Sequence, residues 1–335
     1  MTHQQICDAL DVCVPARRPV FINGAPGCGK TQLSEKYFHD RGYQVITESA
    51  VHYDPVDIKG TPWPDRENNV TRWFPPELIL KVRNNGGKVA VFWDDLPTAP
   101  PLVQAALYRF MLEHKIGEER LPDSVYVFAA GNRMIDAAAV HEMPVPLRNR
   151  LVHLHLETSP EAWTKWAADA EVQPELIGFI RFRPELLHVF SKKDYAQPSP
   201  RTWEFVSQLM AQNPSPNIEF ELYEGCVGTG AATELMGFLK LFRELPSVYE
   251  ILMHPKEAPV PKDPGTQYAV SSAIARAATK LNLEAVMTYA DRLPPEFGIL
   301  TIRDATERDA SLMRTPLFIS WGQLHNDFLR GSNGK

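Results

Sequence analysis

The stretch PVFINGAPGCGKTQLSEKYF, Pro19 to Phe38, decides how the rest of the chain is read. Val20, Phe21 and Ile22 form a short apolar run, GAPGCGKT follows at residues 24–31, and an amphipathic run begins at Gln32. That order predicts a strand, a phosphate-binding loop and a helix. Glycines let the backbone turn tightly, so that successive N–H groups face phosphate oxygens, and the helix behind the loop aims its positive end at the same place. The phosphate-binding set is Gly24, Ala25, Pro26, Gly27, Cys28, Gly29, Lys30, Thr31 and Gln32. Lys30 would hold the β- and γ-phosphates of ATP, and Thr31 would ligate Mg2+. Cys28, beside a helix N-terminus and close to Lys30, is expected to favour a thiolate and to be alkylated quickly.

Outward from this loop the chain reads as alternating strands and helices. HQQICDALDVCV before it has helical spacing, with Ile6, Leu10 and Val14 on one face. YQVITESA (43–50), RNNGGKVAVFWDD (83–95), SVYVFAAGN (124–132) and RLVHLHLE (150–157) read as four further strands, and PLVQAALYRFMLEHKI (101–116) as a helix. Five strands, several almost continuously apolar, predict a parallel sheet covered by helices on both faces, with the loop at a carboxyl strand end. The Pro- and aromatic-rich segment 51–79 is too long for a plain crossover and reads as an inserted hairpin or loop. Its Trp63, Trp73 and Phe74 could form a binding surface or pack locally, and local packing is the favoured expectation. Beyond residue 157 the strand signal falls away and helices are expected to the end, so that 1–157 forms an α/β domain, 158–330 a helical region and 331–335 a disordered tail.

VFWDDL is an apolar strand closing on two carboxylates. Asp94 would hold Mg2+ opposite Thr31, and Asp95 stands where a water-activating carboxylate is needed. Asn132, at the tip of the fourth strand, could orient the attacking water. Arg148, Arg150 and Arg201 each adjoin an element end and could donate to phosphate. His153 and His155 share one sheet face, but no third metal ligand is evident, so they read as ordinary strand polarity.

Composition narrows the class. A chain of 335 residues, 44% hydrophobic and 23% charged, is long enough for two packed domains. The net charge of −6 argues against a protein that coats nucleic acid. The N-terminal residues lack a signal-peptide pattern and no apolar run reaches membrane-spanning length, which predicts a cytoplasmic protein without a membrane partner. The four cysteines show no zinc or disulfide spacing and read as reduced thiols.

Taken together, the chain resembles the MoxR-type branch of the AAA+ ATPases. The likeness runs from GAPGCGKT through DPVDIKG, WFPPEL, DDLPTAPPLVQAALYRFML, AAGN and PLRNRLVHLHLE to PSPRTWEFVS, and weaker pieces extend it to about residue 325. The resemblance implies an AAA+ α/β domain followed by a helical lid, with ATP and Mg2+ as ligands. It makes Lys30 and Thr31 the Walker A pair, Asp94 and Asp95 Walker B, Asn132 sensor 1, Arg150 the arginine finger with Arg148 as runner-up, and Arg201 sensor 2. It further implies inserts at about 54–74 and 113–123, a homo-hexameric ring, and a protein client, of the kind that carries a von Willebrand factor A domain. The family usually has Asp-Glu where this chain has Asp94-Asp95, one methylene shorter. Slow turnover follows as an expectation, with Asp95→Glu holding or raising the rate. The alternative reading is a nucleotide-gated scaffold that binds ATP and hydrolyses it poorly.

Overall fold

The computed structural model describes every residue except 85–86, 117–118, 134, 136–140, 192–193 and 326–335. The tail expected to be disordered, 331–335, lies outside the described residues. The chain divides into two units, Met1–Thr158 and Ser159–Lys335.

In the first unit the order is α1 (His3–Cys13), β1 (Val20–Gly24), α2 (Lys30–His39), β2 (Gln44–Ser49), α3 (Pro55–Lys59), β3 (Thr61–Asp65), β4 (Val70–Phe74), α4 (Glu77–Asn84) and β5 (Val89–Asp94). It continues with α5 (Pro101–Glu113), β6 (Lys115–Ile116), β7 (Glu119–Arg120), β8 (Val125–Asn132), α6 (Val145–Arg148) and β9 (Val152–Leu156). Five strands form one sheet in the order β2-β5-β8-β1-β9, every pair parallel. Alternation along the central strands shows why both faces are covered. Val89, Val91 and Trp93 of β5 join Val125, Val127 and Ala129 of β8 in a core with α4 and α5. Ala90 and Phe92 join Tyr126, Phe128 and Ala130 in the opposite core, with Ile6 and Leu10 of α1 and Phe38 of α2. Phe128 stacks between Phe38 and Phe92 at 4.6 and 4.7 Å. Each such buried aromatic contributes about 1.5–3 kcal/mol over an exposed one, which outweighs the weak propensities of the short strands. The five-stranded parallel sheet is flanked by helices as expected, and the phosphate-binding loop follows the carboxyl end of β1.

Two boundaries differ from the sequence reading. The helix expected to run to residue 116 stops at Glu113, because His114 takes a left-handed backbone (φ 51°) and releases the chain into the small antiparallel β6–β7 pair. The last strand begins at Val152, so Leu151 separates it from Arg150. The long segment between β2 and β5 holds the short α3 and, as the inserted hairpin expected there, the two-stranded antiparallel pair β3–β4.

Among the described residues the second unit contains helices and no strand: α7 (Pro160–Asp169), α8 (Pro174–Phe182), α9 (Pro200–Met210), α10 (Pro216–Arg243), α11 (Val248–Met253), α12 (Pro264–Ala277), α13 (Leu283–Ala290), α14 (Pro295–Arg308) and α15 (Pro316–Leu324). Most begin on proline, whose missing N–H would have no helical partner there. α10 is bent sharply at Gly228 (φ 79°, ψ 161°), where a Cβ would lie 2.7 Å from the Ala196 carbonyl oxygen. The bend brings Arg243 back onto Glu219, Nη1 to Oε2 at 2.9 Å, while Tyr223 donates to the same carboxylate at 3.0 Å. No helix among the described residues is long and apolar enough to cross a membrane.

Candidate functional site

The site lies where three neighbouring strands of the first unit end. β1 delivers Gly24 to the loop, β5 delivers Asp94, and β8 delivers Asn132. Parallel pairing sets Gly24 against Asn132, so the carboxyl ends of the strands converge without any help from sequence proximity. Between Gly24 and the start of α2, Gly27 (φ 73°) and Gly29 (φ 88°) take the left-handed backbone that turns the loop's amides inward.

Lys30 is 7% exposed. Its ammonium donates to the carbonyls of Gly24 (3.1 Å) and Ala25 (3.0 Å) and to Asn132 Oδ1 (2.8 Å). Because an ammonium has only donors, this contact fixes which end of the Asn132 amide faces it. The Nδ2 end then points to Asp95 Oδ1 at 3.4 Å. On the other side, Thr31 Oγ1 donates to Asp94 Oδ2 at 2.7 Å, and the Asp95 N–H donates to Asp94 Oδ1 at 2.9 Å. Lys30, Thr31, Asp94, Asp95 and Asn132 therefore form one connected group. Gln32 follows on the first turn of α2.

Two features correct the sequence reading. Cys28 is 2% exposed, and burial pushes its thiol up against the downward pull of Lys30 and the loop backbone. The thiolate expectation fails because the loop turns this side chain into the core with Ile22 and Leu156, where alkylation is expected to be slow. Asp95 has a left-handed backbone (φ 53°, ψ 32°). Aspartate and asparagine tolerate that region better than most side chains, which gives a local reason for the shorter acid.

The remaining residues separate clearly. Arg148 is paired with Glu142 at 3.0 Å. Arg150 is exposed, donates to the Pro146 carbonyl at 3.2 Å, and lies 5.0 Å over the Tyr108 ring of α5. Among the described residues no carboxylate pairs with it. Arg201 stands exposed in the first turn of α9, after a Ser199–Thr202 capping box, and belongs to the second unit. His153 bonds the Arg148 carbonyl through Nε2 at 2.7 Å and packs edge-on against Phe21. Among the described residues no group of three His, Cys, Asp or Glu could hold a metal. On the hairpin, Trp73 sits under the Lys59 ammonium at 4.1 Å. Trp63 and Phe74 touch edge-to-face at 5.7 Å yet are each 57% exposed, so local packing does not cover them as expected.

Sequence reasoning missed two neighbours. His3 of α1 places Nε2 3.5 Å from where a Cβ on Gly29 would stand, and burial lowers its pKa, keeping the ring neutral. Tyr108 gave no signal because its helix reads as plain core periodicity.

No protein-family profile and no curated protein matches the chain. Among solved structures it is similar to a candidate ATPase from Cytophaga hutchinsonii, with 13% identity over 91% of this chain and 80% of that one and a TM-score of 0.33. It is also similar to a RuvB mutant from Thermotoga maritima, with 12% identity over 81% of this chain and 82% of that one and a TM-score of 0.37.

Proposed function

We propose that this protein binds ATP with Mg2+ and hydrolyses it to ADP and phosphate, as a ring-forming AAA+ ATPase of MoxR type that remodels or activates a protein partner. The observation that carries the reading is the connected group around Lys30, in which a buried cation, a hydroxyl–carboxylate pair and a second carboxylate meet at the mouth of a glycine loop.

The residues fit the metal. Thr31 and Asp94 present two oxygens 2.7 Å apart, close to the ~2.9 Å between adjacent ligands of a small octahedral ion, and Mg2+ commonly takes one or two protein oxygens plus phosphates and water. When bound, Mg2+ would neutralise charge on the phosphates. The chain's own groups do the rest. Loop amides and Lys30 hold the phosphates, Asp95 draws a proton from water, and the Asn132 amide keeps that carboxylate and the water aligned. Arg150, carrying a charge that no described carboxylate neutralises, would reach the phosphates of a neighbouring copy, and Arg201 keeps the sensor 2 role that the resemblance implies. The exposed Trp63 and Phe74 on the hairpin favour a protein client there.

Lys30→Ala tests the core of this reading. Removing the buried ammonium is expected to weaken binding of a fluorescent ATP analogue by roughly 10- to 100-fold, the worth of a charge-assisted hydrogen-bond set. Unchanged affinity would overturn nucleotide binding altogether. A second reading, a nucleotide-gated scaffold, is favoured by Asp95 in place of the longer acid. Turnover far below one per minute with tight ATP binding would select it.

A further inference from the structure

Arg150 is held in an unusual way for an exposed cation. Its guanidinium lies over the face of Tyr108, 5.0 Å from ring centre to Cζ, and one of its nitrogens donates to the Pro146 carbonyl at 3.2 Å. Tyr108 is half-buried and packs on the core beneath α5, so it offers a fixed surface rather than a second mobile side chain. The turn that carries the arginine is itself anchored, because His153 bonds the Arg148 carbonyl at 2.7 Å and braces against Phe21. Two residues away, Arg148 is neutralised by Glu142, whereas among the described residues Arg150 meets no carboxylate and is oriented by a ring face and a carbonyl. A ring face attracts a guanidinium without cancelling its charge, and leaves the outer N–H groups free to donate.

We propose that Tyr108 is a positioning residue, which holds the Arg150 guanidinium in place for the phosphates bound by a neighbouring copy of the chain. This rests on the reading of Arg150 as the arginine finger. Preorganisation of that kind raises the rate because the side-chain freedom of a long arginine is removed before the reaction instead of during it. The aromatic face is the working part. The phenol hydroxyl is not.

The test is a double-mutant cycle on the full-length protein. Tyr108→Leu keeps an apolar side chain on the core and removes the ring, and Tyr108→Phe keeps the ring. Each is made alone and with Arg150→Ala, and steady-state kcat, KM for ATP, binding of a fluorescent ATP analogue and thermal unfolding are measured. Single-turnover hydrolysis of radiolabelled ATP follows the slow variants. A cation–π contact at an exposed site corresponds to about a two- to fivefold effect on rate. Tyr108→Leu is therefore expected to lower kcat by that factor with KM and nucleotide affinity unchanged, Tyr108→Phe to retain the parental kcat, and Tyr108→Leu to add nothing once Arg150 is alanine. Parental kcat in Tyr108→Leu, or the same loss with and without Arg150, overturns the positioning role. Parental kcat in Arg150→Ala, or no hydrolysis by the parent, instead removes the finger reading and the proposal with it.

Discussion

Thr31 and Asp94, 63 positions apart, are joined by a 2.7 Å hydrogen bond from hydroxyl to carboxylate. Parallel strands bring them together, since Thr31 follows β1 and Asp94 ends β5. If that pair is where Mg2+ binds, Asp94→Asn should leave ATP affinity in metal-free buffer nearly intact. The affinity gained on adding Mg2+ should fall, by about 10- to 100-fold in apparent metal affinity. Titration of a fluorescent ATP analogue with and without Mg2+ checks this, and an undiminished gain would move the metal elsewhere.

For Asp95 the backbone changes the expectation. Asparagine accepts a left-handed backbone as readily as aspartate, so Asp95→Asn should fold normally, bind ATP, and lose turnover. Asp95→Glu should bind ATP as well, but at a cost of about 1 kcal/mol in stability, because the longer side chain suits φ 53° less well. Its rate should not exceed that of the parent, contrary to the reach argument alone. Melting temperature and steady-state hydrolysis of the two variants decide the matter.

The two arginines next to β9 should behave differently in mixed rings. If Arg150 is the arginine finger proposed above, its loss should cost about 10³ to 10⁵ in rate, and Asp95→Asn, lacking the proposed water-activating carboxylate, should be nearly inactive as well. Mixed under subunit exchange, some interfaces pair an intact Asp95 with an intact Arg150, and activity should return. Arg148→Ala should cost little by itself, since its partner is Glu142. A silent mixture, with mixed rings demonstrated, would count against action in trans.

Legibility of the site in the sequence follows the distance over which each feature is encoded. The loop from Gly24 to Thr31 is contiguous, and the apolar runs of β5 and β8 announce buried parallel strands, so the sheet could be read directly. The contacts of Lys30 with Asn132 and of Thr31 with Asp94 depend on strand order, which local pattern does not encode; the motifs put Asp94 opposite Thr31, while the bond from Lys30 to Asn132 left no trace in them. Cys28 was misread because its neighbours on the chain are a cation and a helix start, while its environment is set by Ile22 and Leu156. The left-handed backbone of Asp95 and the bend at Gly228 leave no periodic trace, since a single φ value does not disturb hydrophobic spacing.

In the second unit, Arg243 beside Glu219 holds that carboxyl below the usual glutamate range. The sign follows from a depressed folded-state value. The contribution is complete above the unfolded glutamate pKa and is lost as pH falls through the lower folded value. Glu219→Gln should therefore reduce the melting temperature near neutral pH, and the difference from the parent should shrink as the pH falls through the depressed folded-state value and the parental carboxylate becomes protonated. A loss that stays the same across that range would mean that shape, not charge, holds the two arms of α10 together.

The three acceptors around Lys30 bear on the heat of nucleotide binding. Gly24, Ala25 and Asn132 give the ammonium acceptors within the protein, so a phosphate taken up there has to replace bonds that Lys30 already makes. If ATP binds there as proposed, bonds made are set against bonds released, and a calorimeter should record a modest heat relative to the affinity.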